Sequence, residues 1–148
     1  MNITKRIERE SSKLASPGSL DANVLLRLLL NDVPDQHSAV VKLLEQTSGQ
    51  FLVADTALIE LVFVLGRHYQ FSRKQIVEAV MGLLELTAIK CNEELFTMAL
   101  PIFVKFPALS FEDCCLSAYA NLQTAEPLWT FDQKLARQAA NARLVATT

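Results

Sequence analysis

The stretch PLWTFDQKLARQAANARLVA, residues 127–146, reads in succession as strand, helix and strand. A short apolar run over 127–130 ends at Phe131 and Asp132. Asp132 then has the side chain that best caps a helix, which the pattern places over 133–141, and a second β-rich run follows at 143–146. Two strands separated by one helix pair in parallel, because a tight hairpin is excluded. This segment therefore sets the fold class as α/β.

The same alternation continues back to Leu20. Strands are expected near 19–21, 50–53 and 87–90, and helices over 23–31, 36–46, 55–69, 73–86, 93–105 and 111–124. Helix 36–46 is amphipathic, with Ala39, Val40, Leu43 and Leu44 turned inward. Ser72, Asn92 and Ser110 supply further helix starts, and Pro101 falls inside the 93–105 helix, where it predicts a kink. The expected architecture is a three-layer α/β/α sandwich around a short central parallel sheet. Residues 17–148 form that domain, and residues 1–16, rich in charge and followed by Ser16-Pro17-Gly18-Ser19, read as a flexible N-terminal extension.

Composition limits the function classes. The chain has 148 residues, 51% apolar and 20% charged, with net charge −2, enough for a substantial core. A net charge of that sign gives no general polyanion-binding surface, so a nucleic-acid ligand needs local cations. Apolar runs such as Val24 to Leu30 are too short to cross a membrane. The three cysteines lack a partner Cys or His at zinc-like spacing, which points to a reducing cytoplasm. Isolated glycines rule out a phosphate loop, and no Ser or Cys has a His and Asp arranged for nucleophilic catalysis. The aromatic residues, Trp129 and Phe131 included, read as core.

Four acids carry the chemistry. Asp21 opens Asp-Ala-Asn, Glu60 lies in the aliphatic run Ala57 to Val64, Asp113 follows Phe111-Glu112, and Asp132 closes Leu128 to Phe131. Taken singly, Asp21, Asp113 and Asp132 are each good helix caps. Glu60 has no capping role, and its aliphatic flanks imply a desolvation cost that a cation or a distant base must offset. In a parallel sheet, strand ends and helix starts share one edge, which gives the four a common address. Clustered carboxylates repel one another, and a hard divalent cation relieves that repulsion. Mg²⁺ or Mn²⁺ suits such an all-oxygen set. Glu112 is an accessory candidate.

These residues, in this order, resemble the PIN-domain ribonucleases, and in spacing the VapC-type toxins of bacterial toxin–antitoxin modules. The motifs are Leu20-Asp21-Ala22-Asn23, Leu58-Ile59-Glu60-Leu61, Ser110-Phe111-Glu112-Asp113 with Ser117-Ala118-Tyr119-Ala120, and Thr130-Phe131-Asp132. The resemblance implies a divalent-metal endoribonuclease. Asp21, Glu60, Asp113 and Asp132 would be the catalytic acids and metal ligands, and Asn23 and Thr130 their polar supports. Lys134 and Arg137 would hold the RNA backbone. The resemblance further implies a cognate antitoxin protein and a homodimer. Two other classes use similar acids: a Mg²⁺-dependent phosphohydrolase or phosphoacceptor domain, and a PIN-fold binding module without catalysis. The former usually carries a second Asp two residues after its nucleophile, where this chain has Asn23.

Overall fold

The computed structural model describes residues 2–5 and 16–147, so most of the expected extension over 1–16 lies outside the described residues. The chain packs as two compact units, residues 1–61 with 79–91 and residues 62–78 with 92–148. Each has its own parallel strand pair.

In the first unit, β1 (Phe51–Leu52) pairs with β2 (Ile89–Lys90), with Phe51 opposite Ile89 and Leu52 opposite Lys90. The strand expected at 19–21 is reduced to a bridge from Ser19 to Leu52, although Leu20 N–H still donates to the Leu52 carbonyl at 2.9 Å. The reason is local: Pro17 has no N–H to donate, and Gly18 sits at φ +147°, a conformation open mainly to glycine. Asp21 then starts α1 (Ala22–Leu29), which packs on α2 (Pro34–Gln46) through buried Leu25, Leu26 and Val40. Helix α2 buries less than its pattern suggests. Ala39 is exposed and Leu43 is 44% exposed, against the inward placement the periodicity predicts.

Two helices cross from one unit to the other: α3 (Asp55–Arg67) and α4 (Arg73–Glu85). Ser72 begins α4 with a reciprocal pair, its hydroxyl accepting from Gln75 N–H at 3.1 Å and its own N–H donating to the Gln75 side chain at 2.8 Å.

The second unit is built on α5 (Glu93–Lys105) and α6 (Phe111–Leu122). Phe111 stacks on Phe96 at 6.0 Å and meets Phe103 edge-on at 5.3 Å, a buried aromatic cluster. Pro101 lies inside α5, which continues to Lys105. Then β3 (Leu128–Thr130), α7 (Gln133–Gln138) and β4 (Ala142–Leu144) make the parallel βαβ unit expected from 127–146. Helix α7 stops short of the expected Asn141 because that residue ties the unit together instead. Asn141 accepts from the buried Ser117 hydroxyl at 2.7 Å and donates to the Ser117 carbonyl at 2.9 Å, while its own carbonyl receives Leu128 N–H.

Cys114, fully buried on α6, has its thiol pushed up from 9.0 to about 11, by burial first, with Arg73 pulling partly the other way. A thiol raised in the folded state adds stability below its unfolded pKa and loses it as pH climbs through the folded value. Between pH 9.0 and about 11, Cys114→Ala should therefore flatten the fall in melting temperature relative to the parent. Parallel melting curves for the two proteins would contradict this.

Candidate active site

The candidate site residues fall into two groups by position. Asp21, Asn23 and Glu60 belong to the first unit, and Asp113, Thr130 and Asp132 to the second. Asp21 N-caps α1, with one carboxylate oxygen accepting from Val24 N–H at 3.0 Å. Together with Asn23 it borders a cleft of about 290 Å³, lined also by Val24, Arg27, Gln36 and Ala39. Arg27 is held in an ion pair with Asp32 at 2.7 Å, and the His37 ring contacts the Arg27 carbonyl at 2.8 Å, so both have structural work.

Asp113 is the third residue of α6 and completes a capping box. Its Oδ2 accepts from Ser110 N–H at 3.3 Å, and its N–H donates to the Ser110 hydroxyl at 3.1 Å. Asp132 caps α7 through Oδ1, which accepts from Lys134 N–H at 2.8 Å and Leu135 N–H at 3.1 Å. Thr130 supports it through the backbone, its hydroxyl accepting from Asp132 N–H at 2.9 Å. Each of these three acids thus uses one oxygen for its helix, and no hydrogen bond to its second oxygen is found among the described residues. Helix starts are favourable places for such carboxylates because the partial positive charge of the unpaired N–H groups faces them.

Glu60 requires a correction. It is exposed, so its aliphatic flanks impose no desolvation cost. Helical spacing explains this: Leu58, Leu61, Val62 and Leu65 take the buried side of α3, leaving Thr56, Glu60, Phe63 and Arg67 on the other. What distinguishes Glu60 is that, among the described residues, its carboxylate has no hydrogen bond or ion pair. It is an available oxygen donor.

The donor chemistry fits a hard cation: three Asp, one Glu, and an oxygen free on each. Among the described residues, however, no three His, Cys, Asp or Glu side chains are already gathered as a metal-binding group. The structure fixes each acid locally.

The PIN domain family matches residues 19–141, which takes in all four acids. The chain belongs to the PIN domain family. No curated protein matches it. PIN domains are in general nucleases that use divalent metal, and the α/β fold with short parallel strand pairs agrees with the family assignment. Among the described residues no helix is long and apolar enough to cross a membrane.

Within this PIN domain, two features escape the residue pattern. Arg73 is not available to RNA, because its guanidinium is spent on backbone carbonyls. Trp129 and Phe131, expected in the core, are 60% and 70% exposed, and Phe63 and Tyr119 are exposed as well. Strand alternation within β3 puts Trp129 on one side and Leu128 and Thr130 on the other, a signal present in the sequence.

Proposed function

We propose that this PIN domain is a divalent-metal-dependent endoribonuclease and the toxin of a toxin–antitoxin pair. The observation that supports the reading is the set of four acids inside the PIN match: Asp21, Asp113 and Asp132 each keep one carboxylate oxygen beyond the one that caps a helix, and among the described residues Glu60 has both unengaged. Asp21, Glu60, Asp113 and Asp132 would hold Mg²⁺ or Mn²⁺, which when bound supplies counter-charge to the phosphodiester and acidifies a water molecule. Asn23, exposed beside Asp21, can orient water or a ligand carboxylate but cannot act as a base. Thr130 fixes the backbone from which Asp132 projects. Lys134 and Arg137, both exposed on α7, would meet RNA phosphates near Asp132. Hydrolysis would leave a 5′-phosphate and a 3′-hydroxyl.

The proposed partners follow from exposed apolar side chains. Exposed Phe63 on α3 suits the apolar face of an amphipathic antitoxin segment, whose basic residue would compete with metal for the acids. Phe63 on α3 is also a candidate for a homodimer contact.

Incubating the purified protein with end-labelled single-stranded RNA tests the reading. Cleavage with products bearing 5′-phosphates is expected. Intact RNA, under conditions where the protein binds it, would favour a binding module instead.

A further inference from the structure

Resting on the ribonuclease reading, we infer that Trp129 and Phe131 form a base-stacking platform for single-stranded RNA beside Asp132, with Arg143 as its cation. Single exposed apolar residues are ordinary, but here they concentrate. Trp129 is 60% exposed, Phe131 70% and Val145 37%. In the β3–β4 ladder Trp129 stands opposite Arg143, so their side chains leave the same face side by side. Val145 N–H donates to the Thr130 carbonyl at 2.9 Å, which carries the pairing to the strand end where Phe131 and Asp132 lie. Trp129 and Phe131 thus stand on either side, in the chain, of Thr130, whose hydroxyl accepts from Asp132 N–H.

Charge decides what this surface suits. Between residues 127 and 147 there are Lys134, Arg137 and Arg143 against one acid, Asp132, so this segment is positive within a chain of net charge −2. All three cations are exposed, and none has an ion pair among the described residues. Exposed aromatic rings with an unpaired cation beside them, as Arg143 stands beside Trp129, match bases and phosphates together. A second copy is a poorer occupant, because a two-fold contact sets this positive patch against itself. Duplex RNA is poorer too, since its bases are already stacked inward.

Trp129 is the chain's single tryptophan, so its emission reports this site alone. Glu60→Gln protein in chelator is titrated with a single-stranded oligoribonucleotide of roughly ten nucleotides, with the anisotropy of a labelled copy read in parallel. Saturable quenching of Trp129 emission is expected, with the same Kd as the anisotropy gives. Trp129→Ala and Phe131→Ala should each raise Kd roughly 5- to 150-fold, while Trp129→Phe retains most of the affinity. Arg143→Gln should weaken binding and reduce its salt dependence. Binding seen by anisotropy without quenching, or unchanged Kd in both alanine variants, overturns the platform and leaves the nuclease reading intact. Emission that changes with protein concentration alone, and not with RNA, assigns the surface to a second copy and also overturns it. Quenching together with weakened alanine variants, in a parent protein that never cleaves, upholds the platform while the nuclease reading fails.

Discussion

Asp132→Asn should leave the protein folded and reduce RNA cleavage about 100-fold or more, the scale expected when one charge-stabilising group is lost from a phosphoryl or acyl centre. The substitution separates two duties of one side chain. Asp132 Oδ1 caps α7 through Lys134 and Leu135, and asparagine, an equally good N-cap, keeps that oxygen. What is lost is the charge. Asp132→Ala removes the cap as well and should cost a further ~1 kcal/mol of stability, which in a domain of this size is a fall in melting temperature of about 2–4 °C. The same contrast applies to Asp21→Asn against Asp21→Ala, because Asp21 caps α1 in the same manner. Glu60 caps nothing and is exposed, so Glu60→Gln should lose activity with no change in melting temperature. Equal activity in Asp132→Asn and the parent would remove Asp132 from the chemistry.

Among the described residues, Arg73→Met should be the most destabilising substitution of a charged side chain. The guanidinium donates to the carbonyls of Phe103 at 2.7 Å, Phe106 at 3.4 Å, Pro107 at 2.9 Å and Leu109 at 2.6 Å, and lies 4.1 Å from the centroid of the Phe103 ring. One side chain thereby satisfies the Phe103 carbonyl in the last turn of α5, whose helical partner would be the N–H that Pro107 lacks, and carbonyls of the turn leading to Ser110. Methionine fills much of the volume and donates nothing, so the partly buried carbonyls of Phe103 and Leu109 are left bare at about 1–3 kcal/mol each, whereas Phe106 keeps the Leu109 N–H and Pro107 can turn to water. A loss of roughly 3–5 kcal/mol is expected, or a melting temperature lower by about 10 °C. Lysine should not rescue it, because one ammonium cannot reproduce the planar fork. The consequence reaches the site, since this turn delivers Ser110 and Asp113 to the start of α6. An Arg73→Met protein that melts with the parent would show that water satisfies these carbonyls equally well.

Helices were legible because their starts are written in single residues: Ser72, Asn92, Ser110 and Asp132 each cap where expected. The strands are short, so a small local effect decides them. Near Ser19, Pro17 and Gly18 reduce a strand to a bridge. Glu60 was misread by adjacency in sequence, whereas helical period decides burial and turns its aliphatic neighbours away from it. Trp129 and Phe131 were misread by residue type, since hydrophobicity says nothing about which side of an edge pair is covered. Arg73 carries no local sequence signal. Its partners lie from Phe103 to Leu109, a pairing that only the packed chain reveals. The helix-capping duties of Asp21, Asp113 and Asp132, by contrast, are legible from residue type and position alone.

The most direct test of the central claim is cleavage of a defined single-stranded RNA across a titration of Mg²⁺ and of Mn²⁺, with a parallel series in EDTA. The account predicts cleavage that rises with either cation, saturates, and disappears in chelator, with Asp21→Asn, Glu60→Gln, Asp113→Asn and Asp132→Asn each needing more metal or failing to respond. Undiminished cleavage in EDTA would contradict it.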